Sequence, residues 1–213
     1  MTEVPRPPGV LSPFAVHLLT RAALPLSRLV HRAALTGTER LPEGPYLLVS
    51  NHPASLGVAE FAAFLALWAS RFHASRPLAA VAYAATFGWW PLSWIFGHVG
   101  AIPSTYAAIH AALAAKVPVA IFPGGDHEAF RPLWRGSEVD FAGRVGFLRV
   151  ARDAWVPVVP MGIRRHRRGH AAPGRGARHR DRRGAAHRVA PVVSSTDGER
   201  FDVSYARTAK WSS

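Results

Sequence analysis

His52 follows Asn51 at the end of the apolar run Tyr46-Leu47-Leu48-Val49-Ser50. A lone histidine is more often structural than catalytic, so its surroundings carry the argument. The run is short and bounded by turn residues, which predicts a buried strand, and the apolar stretch from about Val58 to Trp68 predicts a helix after it. A second run, Val117-Pro118-Val119-Ala120-Ile121-Phe122, leads directly into Pro123-Gly124-Gly125-Asp126. In an open α/β sheet, ligands bind at the C-terminal ends of the strands. An imidazole placed there can reach a hydroxyl in a cleft and take its proton as the oxygen attacks a carbonyl carbon, an effect worth about 10²–10⁴-fold. The paired glycines have two readings. They make a tight turn that needs positive φ, or they let backbone amides approach an oxyanion or phosphate.

Other chemistries are excluded. The chain has no cysteine, so it has no disulfide, no thiolate metal site and no cysteine nucleophile. The histidines near the C-terminus lack carboxylate companions at ligand spacing, so no metal site is expected. Neither a phosphate-binding Gly-x-x-x-x-Gly-Lys loop nor a dinucleotide-binding glycine fingerprint occurs. No secretory signal pattern opens the chain, which sets a cytoplasmic location as the expectation.

The elements that position these residues follow one another in α/β order. Residues from about Val10 to Leu35 read as a helix, kinked before Pro25. At 100° per residue His17, Arg21, Arg28 and Arg32 fall in one arc, and Leu18, Leu19, Leu26 and Leu29 fall outside it. Such a helix suits a membrane interface, or packs on the domain with its charged face in water. Leu78 to Pro103 contains no Lys, Arg, Asp or Glu. Its proline and glycines favour a strand, a helix and a second strand over a membrane span, and Trp89, Trp90 and Trp94 suit the lipid headgroup level. Helices are expected at Tyr106–Lys116 and Phe141–Ala154, with a last strand at Val156–Gly162. Strands alternating with helices predict a single α/β domain with a mixed, mostly parallel sheet. The divisions are a helical segment at 1–35, the α/β domain at 36–163 and a basic tail at 164–213.

The net charge of +13 is concentrated in that tail. Ten arginines between Arg164 and Arg188 are opposed by Asp181 alone, which leaves about +4 for the rest. The stretch has no hydrophobic period and little to bury, so disorder is expected. It reads as a solvated tail, as an arm for polyanions, or as text out of register with an ancestral reading frame. Only Val189 to Val193 resembles a strand.

Four segments together resemble the motifs of the glycerolipid (lysophospholipid) acyltransferase superfamily, in family order. They are Gly37-Thr38-Glu39-Arg40-Leu41-Pro42-Glu43-Gly44-Pro45 followed by Leu47 to His52, Gly100-Ala101-Ile102-Pro103, Ile121-Phe122-Pro123-Gly124-Gly125, and Val156-Pro157-Val158-Val159-Pro160. The resemblance covers roughly Thr36 to Ile163. It implies transfer of a fatty acyl group from a thioester, acyl-CoA or acyl carrier protein, to a lipid hydroxyl. It also implies His52 as base, no cofactor beyond the co-substrate, and a peripheral position at the inner face of the membrane. Candidate partners are thus the lipid acceptor, the thioester and the membrane surface, with no specific nucleic acid.

The departures from the family pattern are specific. The family's first motif has an aspartate four residues beyond the one after His52, and Gly57 stands there. Glu60, about a helical turn further on, is the substitute carboxylate, or else an exposed glutamate at a helix start. The family's phosphate-gripping arginines correspond to Tyr106 and His127. The Pro-Gly-Gly-x-x-Glu form instead resembles the diacylglycerol acyltransferase-like branch, whose acceptors are neutral alcohols. Glu128 then bonds an acceptor hydroxyl or supports His52. Arg131 and Arg144 hold a phosphate or form salt bridges. The expected site is His52 and Glu60 as the catalytic pair, with Asn51, Gly124, Gly125, Glu128, Arg131 and Arg144 around the substrates. A lipid-binding homologue without activity and a nucleic-acid binder acting through the tail are the alternatives.

Overall fold

The structure, a computed structural model, describes residues 7–52, 58–73, 75–132, 139–164 and 200–203. Its first helix contains a defect. Regular turns at α1 (Pro13–Leu18) and α2 (Leu24–His31) flank a π-turn at Leu19–Ala23. Ser12 caps the start by accepting the Ala15 N–H at 3.0 Å, and Pro13 fills the first turn, where a missing N–H costs nothing. Pro25 explains the defect. It has no N–H for the carbonyl of Arg21, and its ring would collide with that carbonyl in a regular helix. The turn widens, and Leu24 donates to Leu19 instead.

Two expectations are corrected here. The helix does not reach Leu35, because Arg32 turns left-handed at φ 48° and Ala34–Thr36 becomes a strand, β1. The arc counted at 100° per residue is also not kept across the π-turn. His17, Arg21, Arg28 and Arg32 are all exposed, but Leu19 faces inward while Phe14, Leu18, Leu26 and Leu29 face out.

The remaining elements are β2 (Leu47–Ser50), α3 (Val58–Phe72), β3 (Ala79–Ala82), α4 (Leu92–His98), β4 (Ile102–Pro103), α5 (Tyr106–Ala114), β5 (Val119–Ile121), α6 (Gly125–Ala129), α7 (Gly146–Asp153), β6 (Val158–Arg164) and β7 (Arg200–Val203). The sheet runs β1-β7-β6-β2-β5-β3-β4. All its pairs are parallel except β6 with β7, as the α/β reading expects. No helix among the described residues is long and apolar enough to cross a membrane; Leu78 to Pro103 folds as β3, α4 and β4.

Side-chain alternation along β2 divides the core. Tyr46 and Leu48 point to the layer of α3, where Phe64, Leu67 and Trp68 meet Leu19 and Leu24 of the first helix. Leu47 and Val49 point to the opposite layer, with Ile109 and Leu113 of α5 and Val150 of α7. Leu47 and Leu48 are both 0% exposed, as a central parallel strand requires. A fully buried leucine stabilises by about 1.5–3 kcal/mol, so β2 is firmly anchored on both faces.

The C-terminal part differs from the tail reading in one respect. β6 continues through Arg164, and Arg200–Val203 returns to lie antiparallel to it, between β6 and β1. Residues 165–199, with the strand expected at Val189 to Val193, lie outside the described residues.

Candidate active site

The site forms where β2 ends between its two neighbours. Val49 pairs with Ile121 of β5 on one side, and Ser50 pairs with Met161 of β6 on the other. Parallel strands end together, so Asn51-His52 is brought beside the Phe122-Pro123-Gly124-Gly125 turn. This is the C-terminal edge of the sheet, where the sequence places it.

Asn51 extends the ladder by one position with its side chain. Its Nδ2 donates to the Ile163 carbonyl at 3.1 Å, and its Oδ1 accepts the Ile163 N–H at 2.8 Å. An asparagine amide can donate and accept as a peptide unit does, and here it does both with the main chain of Ile163. Asn51 is buried and holds the strand end, whereas the sequence places it among the substrate ligands.

His52 is half-buried beyond this ladder. Its ring meets Phe61 of α3 edge-on at 5.2 Å between centroids, and Phe122 at 5.7 Å. The two phenylalanines touch each other at 4.7 Å, so the imidazole lies against an aromatic wall. Glu60, in the same first turn of α3, is 3% exposed. That corrects the reading of Glu60 as an exposed glutamate at the helix start. Gly57 lies outside the described residues.

Glu128, in α6, is completely enclosed. Its Oε2 accepts the His52 backbone N–H at 2.7 Å, and its Oε1 accepts the Asp140 N–H at 3.0 Å. Arg131, also buried, sets Nη1 3.5 Å from Glu128 Oε1 and donates a long bond from Nη2 to the His52 carbonyl at 3.5 Å. Among the described residues, Nε and Nη1 of Arg131 have no hydrogen-bond partner.

The two glycines differ in what they are for. Gly125 has φ +49°, and its N–H closes a turn onto Phe122 at 3.0 Å. This is the tight-turn reading, and it takes that amide away from an oxyanion. Gly124 has an ordinary helical φ of −64°. Its constraint is space, because a Cβ there would lie 2.2 Å from Glu128 Cγ.

Arg144 donates to the Gly124 carbonyl at 2.9 Å and to Asp126 Oδ1 at 2.7 Å. That hydrogen bond, and then the guanidinium charge, hold the Asp126 carboxyl below the usual carboxylate range. His127 pairs with Asp140 at 3.1 Å. Phe61, Phe122, Asp140 and Ile163 are site residues that the sequence did not single out. Phe122 lies inside a motif, but nothing in sequence marks the other three.

Comparison with known proteins gives a family match and a structural likeness. A family model described as Acyltransferase matches residues 32–164. Among solved structures, the chain resembles the 1-acyl-sn-glycerophosphate (LPA) acyltransferase, PlsC, from Thermotoga maritima, at 18% identity and a TM-score of 0.49. The likeness covers 70% of this chain and 56% of that one, so the chain spans little more than half that protein's length. No curated protein matches the sequence. On the match to most of its length, the chain belongs to the acyltransferase family.

Proposed function

We propose that the chain is an O-acyltransferase moving a fatty acyl group from a thioester, acyl-CoA or acyl carrier protein, to the hydroxyl of a glycerolipid or other lipid alcohol. The observation that carries this reading is His52, held at the C-terminal end of the central strand with its ring against Phe61 and Phe122. His52 takes the acceptor's hydroxyl proton as the oxygen attacks the thioester carbonyl. The tetrahedral oxyanion collapses to the ester and expels the thiolate, which recovers the proton from the imidazolium.

The surroundings favour a neutral acceptor. The family's arginine positions hold Tyr106 and His127, and His127 is engaged with Asp140. Arg144 is committed to Gly124 and Asp126, and Arg131 is enclosed beside Glu128. A phosphate calls for guanidinium forks open to solvent, and this geometry offers little of that.

A membrane surface supplies the lipid. Phe14 and Leu18 of α1 are half-exposed, and the Phe14 ring lies 5.9 Å from that of Trp94 in α4. Trp89, Trp90 and Ile95, near Trp94 in sequence, are exposed as well. No Asp or Glu occurs between Pro7 and Thr38, and the exposed cations of the first helix complement anionic headgroups.

Free thiol released from palmitoyl-CoA by purified protein on lipid vesicles tests the reading. Diacylglycerol should be acylated in preference to lysophosphatidate, and His52→Ala should lower turnover by about 100-fold or more. Unchanged turnover in His52→Ala removes the base assignment. Gly57, where the family carries an aspartate, motivates a second reading, a lipid binder without catalysis. Vesicle binding with no thiol released from any donor would favour it.

A further inference from the structure

A buried carboxylate is costly unless it is paired and fully hydrogen-bonded, and Glu128 meets both conditions at one place. One of its oxygens takes the His52 N–H, the other takes the Asp140 N–H, and Arg131 lies one turn along at 3.5 Å. Arg131 in turn faces the His52 carbonyl. The peptide groups on both sides of the His52 Cα are therefore each met by one member of the same ion pair. The contact is made just beyond the Asn51–Ile163 bonds, where the β2 ladder has ended.

No substrate hydroxyl reaches a side chain that is 0% exposed, so Glu128 acts through its neighbours. We propose that Glu128, braced by Arg131, is a positioning residue that fixes the main chain of His52 and thereby aims its imidazole. Gly124 belongs to the same device. The Glu128 side chain fills the volume that a Cβ at residue 124 would take, with its Cγ at 2.2 Å and Oε2 at 2.3 Å. The first glycine of Pro-Gly-Gly is glycine for the sake of the glutamate four residues later. This inference rests on the reading of His52 as the base.

The test uses the full chain with palmitoyl-CoA and diacylglycerol vesicles, separating kcat from KM, together with hydrogen exchange at the His52 amide. Glu128→Gln supplies one acceptor for two N–H groups. The His52 amide should then exchange at least about tenfold faster, since its bond is lost while the fold remains. A base displaced by an ångström costs about 100-fold, and that loss should fall on kcat. KM should stay within about threefold, because no binding contact is removed.

Gly124→Ala should cause the same two changes without touching a charge. In a Glu128→Ala background, Gly124→Ala should add almost nothing, since the clash is gone. Unchanged amide exchange in Glu128→Gln overturns the proposal. So does a Gly124→Ala penalty that is the same with and without Glu128, or a kcat that falls only in step with the folded fraction. Retained turnover in His52→Ala would instead overturn the base reading, and the amide exchange would still decide whether Glu128 holds the loop.

Discussion

The amide of Asn51 sits between two main-chain groups of Ile163, both turned away from water with it. Removing the amide leaves a buried N–H and a buried C=O without partners, each costing about 1–3 kcal/mol. Asn51→Ala should therefore lower the unfolding free energy by about 3 kcal/mol, read from the denaturant midpoint at unchanged slope. Asn51→Asp should not rescue it, because a carboxylate oxygen would then face the Ile163 carbonyl. The opposite sign is expected at Tyr46. Its ring is wholly buried and its hydroxyl has no hydrogen-bond partner among the described residues, so Tyr46→Phe should stabilise by about 1 kcal/mol. Burial also pushes the Tyr46 hydroxyl up to about 12 from an ordinary 10.0, partly offset by the charge of Arg76. Between those values the native state keeps a proton that the unfolded chain has lost, so this stabilisation is complete below pH 10 and fades as pH rises to about 12. Alkaline melts should show that decline in the natural chain, and Tyr46→Phe should shed one proton's worth of it. Residues of this kind explain what sequence reveals about the site. His52 is legible because it sits in a motif at a strand end. The work of Asn51 and Glu128 is not, because their partners lie 112 and 76 positions away and only the fold brings them together.

Elements with a strong apolar run were legible to within a few residues, β2 and β5 above all, since a central parallel strand is buried on both faces. Misreadings arise where one residue's backbone overrides the pattern. Pro25 turns the expected kink into a π-turn, and Arg32 ends the helix early by adopting positive φ. A helix expected from Phe141 begins instead at Gly146, because Ala142 and Gly143 take φ of +51° and +69°. Arg-Phe-Asp-Val at 200–203 alternates for only four residues, too few to stand out before its neighbours β1 and β6 are known. Ser12 illustrates a terminus that is set locally and used globally. Its hydroxyl caps α1, and its N–H donates to the His98 carbonyl at 2.8 Å, joining the first helix to α4. Ser12→Ala keeps the second bond and loses the first, so thermal melts should show a loss of about 1 kcal/mol.

At the scale of the molecule, the proposed attraction to anionic lipid would rest on two features, and salt separates them. The Arg-rich stretch between Arg164 and Arg188 carries most of the net charge. Attraction of exposed charges to headgroups is screened within about 10 Å at moderate salt. The exposed face of Phe14, Leu18, Trp90 and Trp94 works by burial of apolar surface, which salt does not weaken. Sedimentation with anionic vesicles should thus fall as salt rises and level off at a residual binding above zero. Replacing Trp90 and Trp94 together by alanine should lower that high-salt residue by about tenfold, given about 25 cal/mol per Å² of aromatic surface withdrawn from water. The low-salt binding should change far less, being dominated by arginine. If the double substitution left high-salt binding intact, α1 and α4 would not be the membrane face. Equal losses at every salt concentration would point to a folding defect, which the melting temperature of the variant would reveal. Because Phe14 packs against Trp94, the two elements should respond as one surface. Phe14→Ala added to the tryptophan pair should accordingly lower binding by less than it does alone.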